Sequence, residues 1–311
     1  MNDMTATRIQ GLVAAPFTPM HADGRIHTER IHEIVQTLIS NGIKGMFVCG
    51  STGEGPSMTT AERMETAAAF IRAADKKLKV FVHVGHNSLQ EAQQLAAHAQ
   101  EHGADFISAT LPTYFKIQTI QGLIDSLATI AAGAPKLPLF YYNIPALTGI
   151  SLDMVAFLEQ AAGKLPTLAG IKYTAPFIHD FQACMHASEG RYELLYGTDE
   201  MLLSALATGS HGFIGSTYNF AAPLYNDLIQ AFADGQLQKA QQCQLRSVEM
   251  VRLIVKYGGL RAQKAMMHMI GLDCGNVRLP LQPFEENEYI SMEKDLRAIG
   301  FFDWCTRVTK P

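Results

Sequence analysis

The chain has 311 residues, of which 48% are apolar and only 17% charged, with a formal net charge of −4. A chain this long and this poor in charge buries a large core, which excludes an intrinsically disordered protein. The slightly acidic balance supplies no basic face for nucleic acid and no polybasic membrane anchor. A small molecule or a second copy of the chain is the expected partner.

The chain opens on MNDMTATRIQ, without the apolar stretch of a secretory leader. No apolar run reaches the ~20 residues that a membrane-spanning helix needs. Cys49, Cys184, Cys243, Cys274 and Cys305 form no CxxC pair and no zinc spacing. An odd set without a framework predicts reduced thiols and a cytoplasmic location.

From there β-rich runs alternate with amphipathic stretches. The pattern predicts strands over 12–17, 45–50, 80–85, 105–110, 138–143, 168–173, 193–197 and 212–216. They are apolar on both faces, as parallel strands covered by helices should be. Thr59 with Glu62, and Ser88 with Glu91, read as capping boxes at helix starts. Gly42, Gly103, Gly163, Gly190 and Gly209 fall where helices should end before the next strand.

Eight βα units in succession predict an α/β protein, a (β/α)8 TIM barrel, in preference to a long open sheet. After Phe220 the strand pattern stops, and helices are predicted over 223–233, 236–257, 260–270 and 285–299. The expected organisation is a barrel over 1–234 and a C-terminal helical extension over 235–311, packed on the barrel.

In such a barrel the chemistry gathers at the C-terminal ends of the strands. Five polar clusters fall there: Gly50-Ser51-Thr52-Gly53-Glu54, Tyr141-Tyr142-Asn143-Ile144-Pro145, Gly170-Ile171-Lys172-Tyr173-Thr174, Tyr196-Gly197-Thr198-Asp199-Glu200 and Gly215-Ser216-Thr217-Tyr218-Asn219. Lys172 interrupts an apolar strand, and two readings fit it. Pointing inward, it loses hydration, which favours an uncharged amine able to form a Schiff base with a ketone. Otherwise it snorkels from the strand end or pairs with a barrel carboxylate.

The other clusters also carry two readings each. Ser51 and Thr52 offer hydroxyls and backbone N–H groups to a carboxylate, or make an ordinary strand-to-helix turn. Tyr142 presents a phenol for proton transfer, or packs in the core. Asp199 and Glu200 bind substrate hydroxyls, or complement a helix N-terminus. Glu54 reads as structural, bonded to nearby loop backbone. His83 and His86 hint at a metal, but side chains three apart on a strand face opposite ways, with no carboxylate or cysteine beside them. Met266, Met267 and Met269 read as core or subunit-contact filler, and Arg252, Lys256, Arg261 and Lys264 as a solvated helix face.

Taken together and in this order, the five clusters resemble the dihydrodipicolinate synthase/N-acetylneuraminate lyase family of class I aldolases. The resemblance runs from Gly11 through the C-terminal helices and rests on the GSTGE, YNIP and GIK motifs. It implies a (β/α)8 barrel with a helical extension, assembled as a homotetramer. Tyr142-Asn143-Ile144-Pro145-Ala146-Leu147-Thr148-Gly149 resembles the lyase branch. The synthases carry an arginine shortly after the proline, where this chain has Ala146-Leu147.

By that resemblance Lys172 forms the Schiff base, and Tyr142 transfers the proton. Ser51 and Thr52 hold the carboxylate, with Ser51 also linked to Tyr142. Thr174, Gly197, Asp199, Glu200 and Ser216 contact the substrate's glycerol chain and hydroxyls. Tyr114 matches a tyrosine that some members insert into a neighbouring subunit's site. The implied reaction is reversible cleavage of N-acetylneuraminate to N-acetylmannosamine and pyruvate, without metal or other cofactor. The competing expectations are another pyruvate-dependent aldolase, synthase-like or acting on a different sugar acid, and a non-catalytic sugar-acid-binding protein.

Overall fold

The computed structural model describes residues 8–308, so the reading of the first residues as leader-free falls largely outside it. Eight parallel strands close into a barrel in sequence order: β1 (Gly11–Ala14), β2 (Gly45–Val48), β3 (Lys79–His83), β4 (Phe106–Ala109), β5 (Leu139–Asn143), β6 (Leu168–Tyr173), β7 (Glu193–Tyr196) and β8 (Gly212–Gly215). Closure is made by β1 against β8, with Leu12 opposite Phe213 and Val13 opposite Ile214. Strands β1, β2, β3, β4, β7 and β8 stop a residue or more before the predicted ends. The backbone there leaves the ladder to make the site turns; Cys49, for example, has φ 58°.

The helices of the repeat are α1 (Ile31–Ser40), α2 (Thr60–Ala74), α3 (Leu89–Glu101), α4 (Ile120–Ala131), α5 (Pro145–Thr148), α6 (Met154–Ala161), α7 (Ile178–His186), α8 (Leu202–Ala207) and α9 (Tyr218–Ala233). The Thr59–Glu62 capping box is complete. At α3, Ser88 accepts the Glu91 N–H, but the Glu91 carboxylate accepts from the Thr60 hydroxyl at 2.6 Å instead, so only half of that predicted box forms. The helix-ending glycines Gly42, Gly103, Gly163, Gly190 and Gly209 all have positive φ, which costs a residue without Cβ nothing.

Two apolar cores result. One lies between strands and helices. The other fills the barrel itself with Phe47, Phe81, Phe106, Phe140, Tyr142, Leu195 and Ile214, among others. Side chains alternate across a strand, so this inner set identifies the residues that share the barrel's interior face.

The last helices are α10 (Leu237–Lys256), α11 (Leu260–Met269), α12 (Glu286–Ala298) and α13 (Phe301–Trp304). Helix α9 begins five residues before its predicted start and is broken at Ala221, two residues before Pro223, which lacks an N–H for the helical ladder. The chain end repairs the break: Ala222 N–H donates to Thr306 Oγ1 at 3.2 Å, and Thr306 N–H donates to the Phe220 carbonyl at 2.7 Å. Met266 and Met267 are core residues. The expected solvated face is wrong for two of its cations. Lys264 is buried against Glu54, and Arg261 is paired with Glu288 of α12. Lys256 stays exposed, paired with Asp295.

Candidate active site

Strand register brings the two central residues together. Tyr142 on β5 is the direct cross-strand partner of Lys172 on β6. Lys172 is only 4% exposed, and its Nζ lies 3.9 Å from the centre of the Phe47 ring and 4.0 Å from that of Tyr142. Among the described residues no ion pair and no hydrogen bond holds this amine. The side chain therefore points into the barrel, neither snorkelling outward nor tied to an acid.

Above it, the turn after β2 carries Ser51 and Thr52, both half-buried. Backbone bonds shape it: Glu54 N–H to the Ser51 carbonyl at 3.1 Å, and Gly55 N–H to the Gly50 carbonyl at 3.0 Å. Gly50 is required, because a Cβ there would lie 2.7 Å from the Phe47 ring. The Ser51 and Thr52 hydroxyls have no protein partner among the described residues. Among the described residues Tyr142 also makes no hydrogen bond, so the expected Ser51–Tyr142 link is not formed. The Thr18 hydroxyl also donates to the Gly53 carbonyl of this turn at 2.6 Å, and none of these bonds uses the serine hydroxyl, which is left free to rotate toward a ligand.

Glu54 has the left-handed φ of 56°, unfavourable for a residue with a Cβ. Two contacts hold it there: Lys264 Nζ at 2.7 Å and the Arg278 backbone N–H at 2.9 Å. The structural reading of Glu54 is correct, but its partners come from α11 and the segment between α11 and α12. Arg278 in turn grips Glu62 at the start of α2, and this holds the Glu62 carboxyl down at about 2.

Across the barrel mouth, Thr174 Oγ1 is buried without a hydrogen-bond partner. Gly197 lies against it, since a Cβ at 197 would come within 2.0 Å of that oxygen. Asp199 is buried, and its Oδ2 accepts from Thr217 N–H at 2.9 Å and Thr217 Oγ1 at 2.6 Å. A chain through Tyr225 and Ser247 extends this network to α10. Asp199 thus caps the start of α9, which consumes one of its oxygens. Its Oδ1 makes no well-formed hydrogen bond, although the Tyr218 hydroxyl is close enough to favour its charge. Burial pushes the Asp199 and Glu200 carboxyls up, Glu200 further through the Asp199 charge. Ser216 is half-buried at the end of β8.

Tyr114 is not part of its own barrel's site. It is 82% exposed and stacked edge-on against Phe115, itself exposed. His83, weighed in the sequence only as a metal hint, lies inside the barrel beside Phe47 and Tyr142. Its parity with Phe81, two residues earlier on β3, was the available signal. His86 instead accepts the Ser88 N–H. Elsewhere, His21, His27 and Glu29 bring possible metal-ligating atoms together. The two imidazoles stack at 3.9 Å with 22° between planes, so one ion cannot lie in both ring planes at bonding distance.

A closed eight-stranded barrel with an inward, unpaired lysine on the sixth strand and a tyrosine facing it from the fifth is the arrangement of a class I aldolase. Sequence comparison narrows this. The chain belongs to the Dihydrodipicolinate synthetase family, whose model matches residues 8–299. It is 38% identical over 302 residues to the N-acetylneuraminate lyases of Rattus norvegicus and Homo sapiens, covering 96% of this chain and 94% of each relative. Its fold is similar to that of a Proteus mirabilis N-acetylneuraminate lyase, with a TM-score of 0.92, 34% identity, and coverage of 95% of this chain and 100% of that one.

Proposed function

We propose that this chain reversibly cleaves N-acetylneuraminate to N-acetylmannosamine and pyruvate through a Schiff base at Lys172. The observation that carries the reading is the buried, unpaired Lys172 amine, 4.0 Å from the ring of its strand neighbour Tyr142. The curated relatives at 38% identity supply the substrate.

Lys172 adds to the C2 ketone of the open-chain sugar acid, and water leaves to give an iminium. The C4 hydroxyl passes its proton to the Tyr142 oxygen as the phenol's own proton moves to the substrate carboxylate, from which it is available for C3 later. The C3–C4 bond breaks, its electrons neutralise the iminium as an enamine, and the C4 carbonyl departs on N-acetylmannosamine. Protonation of the enamine at C3 and hydrolysis release pyruvate and restore the amine. The iminium is the electron sink, so no metal or cofactor is assigned.

The free Ser51 and Thr52 hydroxyls are assigned to the substrate carboxylate. Thr174 Oγ1, Gly197, Asp199 Oδ1, Glu200 and Ser216 line the opposite side and are assigned to the glycerol chain and hydroxyls. Thr174 Oγ1 and Asp199 Oδ1 support this, since buried polar atoms left without regular partners are costly unless a ligand completes them. A synthase-like reaction is disfavoured because Ala146 and the exposed Leu147 supply no cation for a second carboxylate. We further infer a cytoplasmic homotetramer. Free cysteines support the compartment, and exposed Tyr114 and Phe115 support contact between subunits.

The test is borohydride reduction in the presence of pyruvate. A mass increase matching a reduced pyruvyl adduct, absent in Lys172→Ala, is the expected result. Cleavage of N-acetylneuraminate is then measured beside condensation of pyruvate with aspartate semialdehyde. Failure to form the adduct overturns the aldolase reading, and preference for the semialdehyde overturns the substrate.

A further inference from the structure

Two buried polar residues have no part in the reaction above, yet they stand directly behind it. His83 ends β3 on the inner face of the barrel. Its ring meets Tyr142 edge to face, with centres 5.8 Å apart and 87° between planes, and lies 5.9 Å from Phe47. These are the same two rings that flank Lys172 Nζ. Phe47 meets Tyr142 edge-on at 5.3 Å, so the phenol ring is held between two aromatic neighbours.

Arg63 on α2 holds the His83 backbone from the far side. It is buried, and among the described residues no carboxylate pairs with it. Its guanidinium donates to the Gly85 carbonyl at 2.8 Å and to the His83 carbonyl at 2.6 Å, and lies 3.4 Å from His83 Nδ1. On the other edge, His83 Nε2 accepts the Thr110 N–H at 3.1 Å and lies 3.2 Å from Thr110 Oγ1. Nε2 thus accepts from the barrel wall, which puts the ring proton on Nδ1, and Arg63 holds the residue through its carbonyl. The ring cannot turn without losing these contacts, and it offers no lone pair to the cavity.

We propose that His83, fixed from behind by Arg63, is a positioning residue for Tyr142. It sets the plane of the phenol ring and thereby where the hydroxyl meets a substrate bound at Lys172. Edge-to-face aromatic pairs have a preferred geometry, so a fixed imidazole imposes an angle on its neighbour. A misplacement of about 1 Å at a proton-transfer group is enough to slow catalysis strongly. A buried cation is expensive, and here its hydrogen bonds go to the backbone at the end of β3. The imidazole is also held uncharged: burial, then the Arg63 and Lys172 charges, oppose its protonation, and only a Cys49 backbone contact favours it. It therefore does not compete with Tyr142 for the proton in transit.

The inference rests on the aldolase reading, and the experiment separates the two. Wild type, His83→Phe, Tyr142→Phe and the double variant are compared in N-acetylneuraminate cleavage and in borohydride trapping of pyruvate. His83→Phe is expected to lower kcat by about tenfold or more, with KM within about threefold, and to keep the Lys172 adduct. In the Tyr142→Phe background the same change is expected to cost under about twofold, because the hydroxyl it positions is gone. His83→Gln, whose amide oxygen can accept the Thr110 N–H but which has no ring to set against Tyr142, is expected to lower kcat as much as His83→Phe does. Should His83→Phe not fold, Arg63→Lys, which keeps the charge but loses the fork, goes through the same cycle. Losses that multiply in the double variant, or an unchanged kcat in His83→Phe, overturn the inference while the aldolase reading stands. A wild type that forms no adduct overturns the aldolase reading and the inference with it.

Discussion

Glu54 and Lys264 form an ion pair at 2.7 Å with both side chains only 2% exposed. One belongs to the turn after β2 and the other to α11, so the pair fastens the C-terminal helices to the turn that carries Ser51 and Thr52. Lys264 also donates to the Asn276 carbonyl at 2.9 Å, and Glu54 accepts from Arg278 N–H.

Breaking such a pair from one side strands a charge in the interior, which costs about 3–5 kcal/mol. Lys264→Met is expected to lose stability of that order in urea unfolding. The double variant Glu54→Gln with Lys264→Met should recover part of it, because no unpaired charge remains. An equal loss in the double variant would show that packing, and not charge, makes this contact. In the single variant KM for pyruvate should also rise, since the freed turn no longer holds Ser51 and Thr52 in place over Lys172.

The eight-unit barrel was legible in the chain because short runs apolar on both faces and helix-ending glycines recur in a fixed order. The central pair was legible as Lys172 in an apolar strand and Tyr142 at the end of another. That they are direct neighbours was not, because the register of β5 on β6 shifts between Leu139 and Phe140. Lys264 was misread as solvated because helical spacing shows which residues share a face but not what packs against it. The half-formed cap at Ser88 has a similar cause: Glu91 found a tertiary partner in Thr60. The Asp199 interaction with Thr217 joins two loops distant in sequence, so no local motif announces it.

Gly215 is expected to control the sugar side of the site. A Cβ there would lie 1.8 Å from Asp199 Oδ1 and 2.4 Å from its Cγ. Gly215→Ala must push the carboxylate away and strain both Thr217 bonds. A hydrogen bond to a charged group is worth about 1.5–3 kcal/mol, so kcat/KM for the sugar acid should fall by about 10- to 100-fold. Pyruvate trapping at Lys172 should persist. Loss of trapping as well would mean that the substitution disturbs the barrel and not Asp199 alone.

Glu200 is half-buried next to Asp199, and its carboxylate accepts no hydrogen bond from a described side chain. Glu200→Ala is expected to raise KM for the long sugar and to leave imine formation with pyruvate intact. Equal losses in both assays would make the residue structural.

Two carboxylates give stability pH dependences of opposite sign. Glu62, held down to about 2 first by its Arg278 hydrogen bonds, favours the folded state wherever it is ionised. Its contribution is complete above the unfolded value of 4.5 and is lost as pH falls toward about 2. Glu193, at the start of β7, is pushed up to about 7 by burial, against the opposing charge of Arg8. There the folded state holds the proton more tightly, so stability is lost as pH rises from 4.5 through about 7. Comparing Tm across pH for wild type, Glu62→Gln and Glu193→Gln separates the two. Glu62→Gln should be destabilising at pH 7 and approach wild type near pH 2. Glu193→Gln should match wild type near pH 4.5 and become the more stable protein by pH 8, because its amide never has to ionise in a buried position. A Glu193→Gln difference that does not change with pH would show that this carboxyl is solvated and titrates normally.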